Sequence, residues 1–85
     1  MKYLYYEFNA GNNNVIQVTL NGWANVLLLD DLNFQNYKSG RRYSYYGGKA
    51  EVSPFNIRPP RYSHWNLIID RGGYPGEVAA SINIV

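Results

Sequence analysis

Ile16-Gln17-Val18-Thr19-Leu20, then Asn21-Gly22, then Trp23-Ala24-Asn25-Val26-Leu27-Leu28-Leu29 is the stretch that decides the fold. Ile16, Val18 and Leu20 alternate with Gln17 and Thr19, the period-two pattern of a strand with one buried face. Asn21-Gly22 is the strongest two-residue hairpin signal, because both residues accept the positive φ of a type I′ turn. Trp23 to Leu29 reads as the next strand. It is apolar on both faces from Val26 to Leu29, which predicts a central position covered on both sides.

The same grammar extends outward. Residues 2 to 8 alternate, with Leu4, Tyr6 and Phe8 on one face and Tyr3, Tyr5 and Glu7 on the other. Ala10-Gly11-Asn12-Asn13-Asn14 is a turn by composition. Residues 30 to 42 form the longest segment without strand periodicity, and helix signals are nearly absent from the chain. Tyr43 to Tyr46, then Gly47-Gly48, then Lys49 to Val52 read as a second hairpin. Phe55 and Ile57 make a short strand stopped by Pro59-Pro60, since proline cannot donate to a ladder. Trp65, Leu67 and Ile69 alternate cleanly. Residues 71 to 76 turn the chain into a last strand at Val78, Ala80, Ile82 and Ile84. Seven or eight short strands spaced in this way predict a single all-β domain over residues 1–85. Its architecture is an antiparallel, jelly-roll-like β-sandwich or, alternatively, a small barrel, because periodicity does not reveal strand order.

Composition narrows the class. The 85 residues include nine Tyr, three Phe and two Trp, too many aromatics for a disordered chain. Zero Cys excludes a disulfide framework, thiolate metal sites and a cysteine nucleophile. The longest apolar run, Val26 to Leu29, falls far short of a membrane helix, so no membrane association is expected. Met1 to Glu7 lacks the apolar core of a signal peptide. A cytoplasmic protein is the plain reading, although a mature secreted domain placed behind an added Met1 would look the same.

The net charge of +2 hides a local one. Residues 1 to 36 set Lys2 against Glu7, Asp30 and Asp31, a net of −2. Residues 37 to 63 set Lys38, Arg41, Arg42, Lys49, Arg58 and Arg61 against Glu51, a net of +5. Residues 64 to 85 set Arg71 against Asp70 and Glu77, a net of −1. The cationic third also holds Tyr37, Tyr43, Tyr45, Tyr46 and Tyr62. Guanidinium groups fork onto phosphate or carboxylate and tyrosine offers a stacking face. Tyr37, Lys38, Arg41, Arg42, Tyr43, Tyr45 and Lys49 are therefore the candidate ligand-binding residues. The expected partner is an anionic, ring-bearing molecule: a nucleotide, single-stranded nucleic acid or an acidic glycan. The competing reading has half these tyrosines facing the core and the basic residues solvating loops.

Other constellations carry less. Asp30-Asp31-Leu32-Asn33 lacks an EF-hand pattern, and aspartates at a strand end more often cap a turn, so no metal is expected. His64 and Asp70 lie six residues apart on one strand, about 20 Å, too far to pair. No serine sits in a nucleophile elbow and no glycine-rich phosphate loop is present, so neither a catalytic residue nor a cofactor is expected. Trp65 shares the face of Leu67 and Ile69 and reads as core. Trp23, just after a turn, could equally be a carbohydrate platform. The exposed aromatics could instead serve a homo-oligomer or protein interface.

Several strings also carry a family resemblance. They are Val18 to Gly22, Asn33-Phe34-Gln35-Asn36-Tyr37-Lys38-Ser39-Gly40-Arg41-Arg42, Tyr45-Tyr46-Gly47-Gly48, Ser53-Pro54, and His64-Trp65 through Asp70 to Tyr74. Together they resemble a small bacterial family catalogued as domain of unknown function 1883, over nearly the whole chain. The resemblance implies an all-β domain that occurs alone or joined to TIR-type domains. A sensing or interaction role then becomes more plausible than an enzymatic one. It carries over no catalytic residue.

Overall fold

The computed structural model describes residues 3–85. Lys2, placed by the sequence at the start of the first strand, lies outside the described residues. Seven strands and one helix follow in order: β1 (Leu4–Ala10), β2 (Ile16–Leu20), β3 (Ala24–Leu29), α1 (Asp31–Lys38), β4 (Tyr46–Ala50), β5 (Phe55–Ile57), β6 (Ser63–Asp70) and β7 (Ala80–Ile84). They form two antiparallel sheets, β1-β6-β3-β4 and β5-β2-β7. No ladder joins the sheets among the described residues, so the fold is a sandwich and not a closed barrel.

The core between the sheets follows from alternation. Val18 and Ile16 of β2 meet Ala24, Val26 and Leu28 of β3 and Trp65, Leu67 and Ile69 of β6, all buried. Leu4, Tyr6 and Phe8 of β1 pack against them. Trp65 is fully buried as its alternation predicts, and its indole N–H donates to the Ala10 carbonyl at 3.0 Å. That bond removes the cost of sinking a polar group in an apolar core.

The end of β3 is apolar on both faces, and β6 has Ile68 on its outer face, because a second, smaller core lies outside the sheet. Leu27, Leu29 and Ile68 turn away from the sandwich and are covered by Phe34 of α1. This helix occupies the segment in which the sequence shows no regular structure. Asp30 caps it, its carboxylate accepting the Asn33 backbone N–H at 2.8 Å, and Gly40 leaves the helix with φ of 74°. Asp30 thus caps a helix rather than a turn, and Asp31 is the first residue of that helix. Only Phe34 of the eight residues is buried, so no apolar stripe announces the helix. A helix this short does not stand alone, and docking holds it.

Two hairpin expectations are corrected. Asn21-Gly22 links β2 in one sheet to β3 in the other, and neither residue has positive φ, so it is a crossing between layers and not a type I′ hairpin. Gly47-Gly48 lies inside β4, opposite Leu27 and Val26 of β3, and residues 43–45 precede the strand as loop. The glycines mark close backbone approach: Gly47 has φ of 114°, and a Cβ there would run into the Val26 carbonyl oxygen.

These two corrections are separable by urea denaturation. Gly47→Ala is expected to cost upward of about 2 kcal/mol, from strained φ and the clash. Gly22→Ala, with open space around it, is expected to stay within about 0.5 kcal/mol of the parent. A large loss at Gly22 would restore the hairpin turn.

Candidate functional site

The helix runs across the outer face of the larger sheet and is tied to β6 at both ends. At its far end, the Tyr37 hydroxyl donates to Asp70 Oδ2 at 2.9 Å. Asp70 is the last residue of β6, 5% exposed, and its Oδ1 also accepts from Asn25 Nδ2 (3.1 Å) and the Gly72 N–H (2.9 Å). Three donors make this buried carboxylate tolerable. Burial, and then the Asp70 carboxylate, push the Tyr37 phenol far above its ordinary value of 10.0, so it remains a donor. Burial also raises Tyr43, with the Asp70 charge adding to the effect.

Above this anchor sits a row of rings. Tyr43 meets Tyr37 edge-on at 5.2 Å and 78°, and Tyr45 leans on Tyr43 at 6.0 Å and 47°. They wall a concavity of about 280 Å³ completed by Asn25, Leu27, Gly48, Lys49, Asp70 and Gly72. Its floor is the outer face of β3 and β6, and its walls are the end of α1, the loop after it, and β4. Lys49 leans toward Trp23 (5.0 Å to the ring centroid) and pairs with Glu51 at 3.1 Å.

Of the seven residues expected from sequence, the structure brings Tyr37, Tyr43, Tyr45 and Lys49 together. Lys38 lies over the Phe34 ring at 4.4 Å, and Arg41 and Arg42 are exposed in the loop after α1 and do not line the concavity. Asn25, Asp70 and Gly72 were not foreseen. For Asn25 and Asp70 the signal was polarity at outward positions of largely apolar strands, and Gly72 lies in the turn that follows.

The string from Asn33 to Gly40 is the helix, its Tyr37 anchor and its glycine exit, and the Tyr46-Gly47-Gly48 string is the strand that closes the far wall. The chain matches the family described as Domain of unknown function (DUF1883) over residues 1–85. It belongs to that family. No curated protein and no solved structure matches the chain.

At the other end of α1, this DUF1883 domain carries a polar cluster. His64 of β6 sits between two carboxylates, Nδ1 at 2.8 Å from Asp31 Oδ1 and Nε2 at 3.0 Å from Glu7 Oε1. Asn66 Nδ2 donates to the same Asp31 oxygen at 2.8 Å, and the Tyr5 hydroxyl donates to Asn66 Oδ1 at 2.8 Å and Glu7 Oε2 at 3.2 Å. His64 and Asp70 do stand apart, at opposite ends of β6, but the sequence reading missed Glu7 and Asp31, which topology alone delivers. Both ring nitrogens face acceptors, so imidazolium satisfies the site and a neutral ring leaves one nitrogen lone pair against a carboxylate. The Asp31 hydrogen bond first, and Glu7 next, raise His64 above its ordinary 6.5. Asn66, then His64, hold the Asp31 carboxyl below its ordinary value. Neither ring nitrogen is left free to act as a base. Among the described residues, no group of three His, Cys, Asp or Glu side chains is arranged to hold a metal ion.

Two measurements check these anchors. Tyr37→Phe strips one donor from a buried carboxylate and is expected to lower stability by about 1–3 kcal/mol in urea titration. A basic group raised in the folded state adds stability that is fully present below about pH 6.5 and is lost as pH climbs through the raised value. The parent is therefore expected to exceed His64→Gln most below about pH 6.5, with the gap closing as pH rises through the raised value. A gap that widens with pH would overturn the clamp.

Proposed function

We propose that this domain is a noncatalytic binding or sensing module in which one ring of the ligand lies among Tyr37, Tyr43 and Tyr45, with an anionic group toward Lys49. One observation carries the reading: a helix end, a loop and an edge strand converge to place these four side chains around one concavity. Ring stacking of this kind contributes about 1–3 kcal/mol per ring in comparable sites. Arg41 and Arg42, exposed on the adjacent loop, supply a field that draws an anion in rather than a seat that holds it. The engagement of both His64 nitrogens supports the noncatalytic part.

The alternative, a homo-oligomerisation or protein-interaction module using exposed aromatics, has less to work with. Tyr62 (75% exposed) and Tyr74 (68%), the two most exposed rings, flank opposite ends of β6 and so do not share one patch. A cytoplasmic setting fits a chain without cysteine, and among the described residues no helix is long and apolar enough to cross a membrane. A role beside TIR-type domains would make ligand occupancy the sensed signal.

The test is an amide chemical-shift titration with nucleotides, oligonucleotides and acidic glycans at two salt concentrations. Shifts are expected to cluster at Gly48, Lys49 and Gly72 and to vanish in Tyr45→Ala. The Arg41→Ala/Arg42→Ala protein is expected to keep the same shifts while losing most of the salt dependence. Shifts confined to residues 58–64, or insensitive to Tyr45→Ala, would refute the reading.

A further inference from the structure

The positive charge that draws attention in the sequence is scattered by the fold. Arg58 Nη1 donates to the Asn12 carbonyl at 2.8 Å. Arg61 pairs with Asp30 at 3.2 Å and lies over Trp65 at 5.1 Å. Arg71 lies over Trp23 at 4.7 Å, its Nη1 donating to the Pro75 carbonyl at 3.3 Å. Asp30 sits at the start of α1 and Arg71 just beyond the far end of β6, so these cations occupy opposite ends of the sandwich. A single strand of nucleic acid is held by a cationic groove that tracks successive phosphates. Arg58, Arg61 and Arg71 add nothing to such a track at the concavity, where Lys49 is the one cation in the lining.

The floor has the opposite character. Asp70 accepts three hydrogen bonds, and an ionised carboxylate has about four acceptor sites, so it can take one more. Asn25 gives one amide N–H to Asp70, which leaves its second N–H as a donor and its carbonyl oxygen as an acceptor. An acceptor-rich floor around a negative charge receives O–H donors and disfavours an anionic group, phosphate or carboxylate alike, anywhere but at Lys49. The walls are aromatic faces, and the Tyr43 and Tyr45 hydroxyls are engaged by no other side chain among the described residues. About 280 Å³ lies just under the ~300 Å³ at which sites for drug-sized ligands begin, room for one ring unit rather than base, ribose and phosphate together.

We infer that the concavity takes an acidic sugar unit of a glycan, with its hydroxyls on Asp70 and Asn25, its ring face on Tyr43 and Tyr45, and its carboxylate on Lys49. This rests on the ring-binding reading of the same site and names the ligand class. The Lys49–Glu51 pair is exposed on both sides, so exchanging Glu51 for a ligand carboxylate costs little.

The experiment is calorimetric titration with four probes: tri-galacturonate, the neutral tri-galactose, adenosine monophosphate and a short oligo-dT. Tri-galacturonate is expected to bind about tenfold more tightly than tri-galactose. Lys49→Met is expected to erase that preference, and Tyr45→Ala to abolish binding of both sugars. Tyr45 is exposed in a loop, so this variant is expected to retain the parent's circular dichroism. If adenosine monophosphate or oligo-dT binds more tightly than either sugar and loses affinity in Tyr45→Ala, the ring site stands and the sugar assignment is overturned. If any probe binds without responding to Tyr45→Ala, the ring site itself falls. Absence of binding by all four also overturns the sugar assignment.

Discussion

Everything outside the sandwich core depends on burying both faces of β6. A strand with Trp65, Leu67 and Ile69 on one side and Ile68 on the other cannot leave either side in water. The second sheet covers the first side, and the second falls to a helix of only eight residues with one buried ring. Apolar contact through Phe34 is too small to fix such a helix. Polar anchors do it instead: Asp31 to His64 and Asn66 at one end, and Tyr37 to Asp70 at the other. The outer residues of β6 thus act as a rail of alternating polar and apolar stations along which α1 is clipped.

The candidate site follows from that docking. Fixing Tyr37 on Asp70 sets where α1 ends, and the chain must then return to β4 through residues 39–45. Tyr43 and Tyr45 are carried into place on that return, Tyr43 edge-on to Tyr37 and Tyr45 tilted against Tyr43. The buried carboxylate has a structural duty and also lies in the lining of the concavity. Lys49 arrives independently, on the edge strand, opposite Asn25. The site is therefore a by-product of two structural constraints, one helix anchor and one edge strand, meeting over two central strands.

Much of this was legible in the chain. Period-two alternation at Leu4 to Phe8, Ile16 to Leu20 and Trp65 to Ile69 places the core-facing side chains correctly, because burial of one face is a local pattern. The two-faced run at Val26 to Leu29 gave the central strand. What was hidden is non-local or weakly coded. Asn21-Gly22 has the composition of a hairpin turn, but the fold uses its small size for a crossing between layers. Gly47-Gly48 looks like a turn until the partner strand shows a carbonyl where a side chain would go. The helix lacks an apolar stripe, so only its capping aspartate and exit glycine announce it. Of the site, the tyrosines and Lys49 were readable as a local cluster. Asp70 and Asn25 were not, since their relation to Tyr37 exists only once three elements are assembled.

The two indoles sit in contrasting media, and this gives the domain an optical character. Trp65 is sealed in the core with its N–H on a carbonyl and Arg61 over its ring at 5.1 Å, so its emission reports on the intact sandwich and on that one charge. Trp23 is half-buried with Lys49 near one part of its ring and Arg71 near another, and Tyr74 against its edge at 5.5 Å. Two positive charges beside one indole shift its excited-state energy through their field, and any movement of the Lys49 ammonium alters that field. The molecule therefore contains one indole held in the core and one that shares Lys49 with the lining of the tyrosine-walled concavity.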